Sequence, residues 1–279
     1  MTNNLVSTDW LAMRLQSPDI VIIDASWHLP ATKRNAEAEF AAKHIPGAQF
    51  YDLDAGAAPD TTLPHMLPSP EKFAADMKAL GVASGKSVIV YDAVGLFSAA
   101  RLWWMLKTFG HKHVSVLNGG LPKWDAERHP VESGNSPAAL DVQFTSAFDQ
   151  TKVKSLKDVA AALTSKSAQV ADARSGPRFR GEEAEARPGV RPGHMPGAFN
   201  VYYSTLLNGD GTLKKGQALR EAFTQAGIDL DRPIITSCGS GVTASILMLG
   251  LTELGKKDAA LYDGAWAEWG ASEQAVATG

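Results

Sequence analysis

The chain has 279 residues, 44% of them hydrophobic and 20% charged, with a net charge of −3. This is the balance of a soluble globular protein too long for one ordinary core, and it excludes the basic footprint of a nucleic-acid binder or a polybasic membrane anchor. No apolar run reaches membrane-spanning length, MTNNLVSTDWLAMRL lacks the basic-then-apolar order of a secretory leader, and one cysteine permits no internal disulfide, so a cytoplasmic protein is expected.

In chain order, VIIDAS at 21–26 and HIPGAQFYDLD at 44–54 come first, and Ser69-Pro70-Glu71 then starts a helix that Gly81 closes. The apolar VIVYD at 88–92 and VSVLNGGLPKW at 114–124 follow. HPVESGNSPAALDVQF at 129–144 is rich in Pro, Gly and Ser and reads as a linker running on to about residue 152. Beyond it, SLKDVAAAL is a helix with Ser155 as N-cap, AQVADAR a short buried strand, and GQALREAFTQAGI an amphipathic helix ending at Gly227. PIITS is a strand, GVTASILMLGLTELG a helix, and AALYD a strand. Alternation of this kind predicts an α/β fold of mainly parallel sheets flanked by helices.

The segments also repeat. HIPGAQFYDLD returns roughly 150 residues later as HMPGAFNVYYS at 194–204. In the same order, Asp24 answers Asp172 and Trp124 answers Trp269. Two copies of one domain are therefore expected: an N-terminal domain over 1–137, a linker over 138–152 and a C-terminal domain over 153–279. Aligning VIVYD with IITSC sets Asp92 opposite Cys238, the sole cysteine. A carboxylate is almost never fully buried without a partner, so this position is expected at the mouth of the sheet and not in its packed core. The paired residues Asp24/Asp172 and His44/His194 are expected to pin turns within each copy.

Cys238 is followed by Gly239, Ser240, Gly241 and a helix start, so it faces a ring of backbone N–H groups that favours an anion, its own thiolate included. A phosphatase-type Cys-x5-Arg loop would need arginine where Ala244 stands. Gly239, Gly241 and Ala244 spell a dinucleotide-type G-x-G-x-x-A with Asp263 as its acid, but too little chain follows Asp263 for the remaining strands. Sulfur transfer through a cysteine persulfide is a third reaction that uses such a loop, beside the plain reading of Cys238 as a small buried hydrophobe. The histidines never pair at ligand spacing with acids or with the cysteine, so no metal is implied, and no cofactor.

The motifs CGSGVTAS (238–245), YDGAWAEWG (262–270), HMPGAFN (194–200), HIPGAQFYDLD (44–54), LPHMLPSP (63–70) and SAARLWWMLKTFGH (98–111) make the whole chain resemble the tandem-rhodanese sulfurtransferases, above all the branch that uses 3-mercaptopyruvate. The resemblance implies that Cys238 takes sulfur from 3-mercaptopyruvate, releases pyruvate and passes the sulfur to a thiol, thioredoxin among the candidates, or to cyanide. It implies that Arg178 and Arg187, with Arg180 a less certain neighbour, grip the donor, and that Gly239, Gly241, Val242 and Thr243 line its site. It also implies that Ser240, His65 and Asp54 form a proton relay, with Asp52 an equal alternative to Asp54. Asp92 has no sulfur chemistry, so the first copy is expected to be non-catalytic. Thiosulfate-preferring relatives carry basic residues in the two positions after the cysteine, where this chain has Gly239 and Ser240. A thiosulfate sulfurtransferase and a non-catalytic persulfide- or protein-binding module are the alternative readings.

Overall fold

The computed structural model describes residues 3–136 and 142–279. Contacts divide the chain into two units: Met1–Pro59, Pro68–Phe148 and Asn208–Leu213 form the first, and Asp60–Leu67, Asp149–Leu207 and Lys214–Gly279 the second. The division departs from the two plain halves expected. A short segment of each half belongs to the other half's unit, and the halves part at Phe148/Asp149. The expected linker, 138–152, lies in part outside the described residues. Of its described part, Phe144 is buried and packs edge-on to Phe73, as a piece of the first unit.

In the first unit the elements are β1 (Leu5–Val6), α1 (Thr8–Ala12), β2 (Ile20–Asp24), α2 (Ala36–Ala42), β3 (Gln49–Phe50), α3 (Pro70–Ala79), β4 (Ser87–Tyr91), α4 (Ala99–Thr108), β5 (Val114–Leu117) and α5 (Gly120–Ala126). The strands form one sheet in the order β1-β5-β4-β2-β3, every pair parallel. All four residues of β5, and all but the first of β2 and β4, are buried, as expected of strands covered by helices on both faces. The α3 start is as read from sequence: Ser69 Oγ accepts from the Lys72 amide and Pro70 takes the first turn.

The second unit repeats the plan with β6 (Val153–Lys154), α6 (Leu156–Ser165), β7 (Gln169–Asp172), α7 (Gly176–Arg180), β8 (Phe199–Asn200), α8 (Gly216–Thr224), β9 (Ile234–Ser237), α9 (Ala244–Glu253), β10 (Ala259–Tyr262) and α10 (Ala265–Trp269). Its sheet runs β6-β10-β9-β7-β8, again all parallel. Ser155 and Asp158 form a reciprocal capping box on α6. Helix α9 begins at Ala244, three residues later than its sequence pattern predicts, because Gly241 turns the chain with φ +80°.

The repeat is exact to the residue at the strand ends. Asp24 registers with Tyr91 and Asp172 with Ser237, so Asp92 and Cys238 each lie one residue past a matching strand. The Asp24 carboxylate accepts from the Ser26 amide and Asp172 from the Arg174 amide, closing the same turn in both copies. His44 stacks on Phe40 and donates from Nδ1 to its carbonyl; His194 stacks on Phe179 and does likewise. Both histidines are buried structural groups. Among the described residues no helix is long and apolar enough to cross a membrane.

Candidate active site

Strand β9 delivers Cys238 to the carboxyl end of the central strand of its sheet, the end at which open α/β sheets bind ligands. A cleft of about 480 Å³ beside Lys152, Lys154 and Lys257 opens at the opposite end, by Ile234 and Ala259, and is remote from the cysteine along the strand. The loop 238–243 is held from outside: the Trp266 amide donates to the Cys238 carbonyl at 2.8 Å and the Ala267 amide to the Gly239 carbonyl at 3.0 Å. Ser245 Oγ returns to the Gly241 carbonyl at 3.0 Å. Among the described residues, the amides of Ser240, Gly241, Val242, Thr243 and Ala244 meet no protein acceptor. These are donors of a tight turn and a helix start, on the loop that follows the cysteine.

The first unit displays what such a loop does to an anion. Asp92 Oδ1 accepts from the amides of Val94 and Gly95, and Oδ2 from those of Phe97, Ser98 and Ala99, all at 2.8–2.9 Å. Gly95, three residues past Asp92, takes φ +119°, as Gly241 takes a positive φ three residues past Cys238. This corrects the expectation of a position outside the packed core. Asp92 is fully buried and Cys238 is 2% exposed. The expectation omitted the backbone: five N–H bonds are partner enough to bury a carboxylate.

Among the expected site residues, Ser240 and His65 meet. His65 Nδ1 lies 2.9 Å from Ser240 Oγ, with both side chains buried. His65 belongs to the second unit through the segment Asp60–Leu67 and sits in the left-handed region at φ +57°, an uncommon conformation outside glycine. The same segment is tied by the Leu67 amide, which donates to Asp263 Oδ2 at 2.8 Å. Asp263, considered from sequence as a ribose-binding acid, is thus an anchor for the histidine's segment.

Arg178 reaches the loop. A β-carbon on Gly239 would stand 3.1 Å from Arg178 Nη2, so the guanidinium is packed against the residue next to the cysteine. Arg180 does not join it: its guanidinium is 43% exposed and pairs with Glu182. Arg187 lies half-buried on the segment after α7. Asp54 and Asp52 belong to the first unit. Asp54 Oδ2 accepts from Trp27 Nε1 at 3.0 Å, whereas Asp52 Oδ1 caps the amides of Asp54 and Ala55 in its own turn.

Sequence reasoning missed Arg174 and Glu185. Arg174 is 2% exposed, forks onto Asp172, bonds Glu185 and stacks on Trp266 with its guanidinium 4.4 Å from the ring centroid. Burial opposes its charge, and Asp172 and Glu185 more than offset that, so the guanidinium holds its proton above the ordinary arginine range. Nothing local in GEEAEARPG marks Glu185 among its neighbours. Its role appears only where β7, α7 and the loop after α7 come together.

Comparison with known proteins follows the same lines. The family model described as "Rhodanese-like domain" matches residues 7–127 and again 155–272. The chain is 45% identical to 3-mercaptopyruvate sulfurtransferase of Escherichia coli over 271 residues, covering 97% of this chain and 96% of the relative. It is 42% identical to thiosulfate/3-mercaptopyruvate sulfurtransferase 1 of Arabidopsis thaliana, covering 95% of this chain and 75% of the relative. The crystal structure of SseA from Escherichia coli, described as a 3-mercaptopyruvate sulfotransferase with the rhodanese fold, superposes with TM-score 0.87 at 44% identity, covering 95% of this chain and 99% of that one.

Proposed function

The chain belongs to the rhodanese family, as a tandem pair, and from that premise we infer that it transfers sulfur from 3-mercaptopyruvate, with Cys238 as the carrier. The Cys238 thiolate attacks the donor's sulfur and an S–S bond forms. The C–S bonding pair passes to the methylene carbon as the enolate of pyruvate. Protonation of that carbon completes pyruvate and leaves a Cys238 persulfide. Ser240 and His65, joined by their hydrogen bond, are the pair assigned to this proton transfer, with solvent replacing the proton. An acceptor thiol, thioredoxin among the candidates, then attacks the outer sulfur and expels the Cys238 thiolate; cyanide would leave as thiocyanate.

The observation that carries the assignment is the place of Cys238, one residue past β9, where the first copy gives a buried carboxylate five backbone N–H bonds. A loop of this shape, with Gly239, Gly241, Val242 and Thr243, offers backbone N–H donors to the sulfur that is transferred. Arg178, against Gly239, supplies a fork for the donor carboxylate, and Arg187 is assigned to the same anion. A thiosulfate-first reading has support in the double name of the Arabidopsis relative. Against it, the loop carries no cation in the two positions after Cys238, where a compact dianion would be gathered. A single thiol suits a reducing compartment, and the cytoplasm is the location we assign.

Intact mass of the protein after incubation with 3-mercaptopyruvate tests the carrier. One added sulfur, released by a reductant and absent from Cys238→Ser, is the expected result. An unchanged mass, or a sulfur that survives in the serine variant, would remove the persulfide mechanism. Steady-state comparison of the two donors decides the runner-up: kcat/KM higher for thiosulfate would promote it.

A further inference from the structure

Glu185 has a side chain only 4% exposed, a rare position for a carboxylate, and it is spanned by two arginines. Its Oε1 accepts from Arg174 Nη1 at 2.8 Å and its Oε2 from Arg178 Nη2. The two partners differ. Arg174 is immobile: it is buried, forked onto Asp172 at 2.7 Å and stacked on Trp266. Arg178 is 27% exposed and sits on α7, a helix of five residues that is closed by Gly181. Its guanidinium carries one N–H bond into Glu185 and still lies against Gly239, which leaves donor groups of its fork for an anion beside Cys238.

We propose that Glu185 is a positioning residue, which fixes the Arg178 guanidinium beside Cys238 by tying it to the rigid Asp172–Arg174 pair. The proposal rests on the reading that Arg178 meets the donor at Cys238. Arginine is among the side chains with most rotamer freedom to lose when held, so an arginine already held by a buried carboxylate binds an anion with less ordering left to do. The arrangement carries an electrostatic cost, because Glu185 opposes the positive potential that Arg178 would otherwise present. Placement and charge therefore act in opposite directions on an incoming anion, and this makes them separable.

The test compares alkylation of Cys238 by iodoacetate, an anion, with alkylation by neutral iodoacetamide, in the parent, Glu185→Gln, Glu185→Asp, Arg178→Ala and Arg178→Ala/Glu185→Gln. Glu185→Gln keeps shape and loses charge; Glu185→Asp keeps charge and loses the reach of one methylene. If Glu185 positions Arg178, both single changes lower the iodoacetate-to-iodoacetamide rate ratio toward that of Arg178→Ala, by about tenfold for loss of a charge-assisted contact. The iodoacetamide rate should stay near that of the parent, and Glu185→Gln should add nothing in the Arg178→Ala background. In turnover, KM for 3-mercaptopyruvate should rise by a similar factor while kcat changes little. A ratio that rises in Glu185→Gln and is unmoved in Glu185→Asp overturns the proposal in favour of a purely electrostatic role. A ratio unmoved in both assigns Glu185 to the fold alone and overturns it too. If Glu185→Gln does not fold, Glu185→Asp decides by the same ratio. Alkylation needs no sulfur donor, so a parent that takes no sulfur from 3-mercaptopyruvate would sink the functional reading and leave this result standing.

Discussion

At the scale of single residues, the two copies use buried acids in different ways, and Asp24 gives a pH dependence with a definite sign. Burial pushes its pKa up from 3.8 to about 6, against hydrogen bonds from Ser26 and Tyr91 that lower it, while Asp92 nearby adds to the rise. The folded state therefore takes up a proton near pH 6, whereas the unfolded chain waits until near pH 4. Between those values the folded state holds more protons, so this residue makes stability rise as pH falls, by up to about 3 kcal/mol in total. The gain is complete below the unfolded value and absent above pH 6. Asp24→Asn keeps an acceptor oxygen for the turn but removes the titration. Melting temperature followed from pH 7 to pH 4 should therefore climb more, or fall less, in the parent than in Asp24→Asn. Parallel curves would show that Asp24 does not carry the shift.

Among the elements, the short segment Asp60–Leu67 matters more than any helix. Helix α9 is apolar and buried along most of its length, so packing against its neighbours on all sides holds it in place. The His65 segment has no regular structure, includes a residue at positive φ, and is held at the Leu67 amide by Asp263. Asp263 is itself 4% exposed and comes directly after β10, so it is a fixed point for an irregular chain. Asp263→Ala should release the segment and let His65 drift from Ser240. A displacement on the order of 1 Å at a proton-transfer group lowers rates by about 10²-fold, so kcat should fall by that order. Alkylation of Cys238 by iodoacetamide, which does not need His65 to move a proton to carbon, should change far less. Equal losses in the two measurements would mean that the variant has damaged the cysteine loop itself.

At the scale of the whole molecule, the duplication lets one loop serve as a reference for the other. In the first unit the loop amides are filled by the chain's own carboxylate and belong to stability; in the second a thiol stands at the matching position. Asp92→Asn offers one acceptor oxygen where two now receive five N–H bonds. Leaving buried donors unsatisfied costs about 1–3 kcal/mol each before relaxation, so calorimetry should show the first unit melting several degrees lower. Cys238→Ser, at the matching position, removes no such bonds and should leave the melting profile nearly unchanged. If both variants melt alike, the two loops are not the same device filled differently.

The alternation of strands and helices, the internal repeat and the equivalence of Asp92 with Cys238 were all determined by the sequence alone. Each depends on local hydrophobic pattern, turn residues or self-similarity, which a chain carries in its order. CGSGVTAS also marked the cysteine loop, because glycines at a strand–helix junction leave backbone N–H groups open to an anion. What only the tertiary structure decided depends on residues distant in the chain. His65 carries no chemical signal in LPHMLP beyond the family resemblance, and its contact with Ser240 exists because its segment joins the second unit and brings Nδ1 there. The burial of Asp92 was misjudged because its five partners are main-chain groups, which composition cannot reveal. Apart from the family resemblance, which set Arg178 and Arg187 ahead of Arg180, the three were basic residues of one charged stretch with nothing in their residue type to tell them apart. Packing separated Arg178 from Arg180 by placing one against Gly239 and the other in solvent, since the direction of a long side chain is set by what surrounds it.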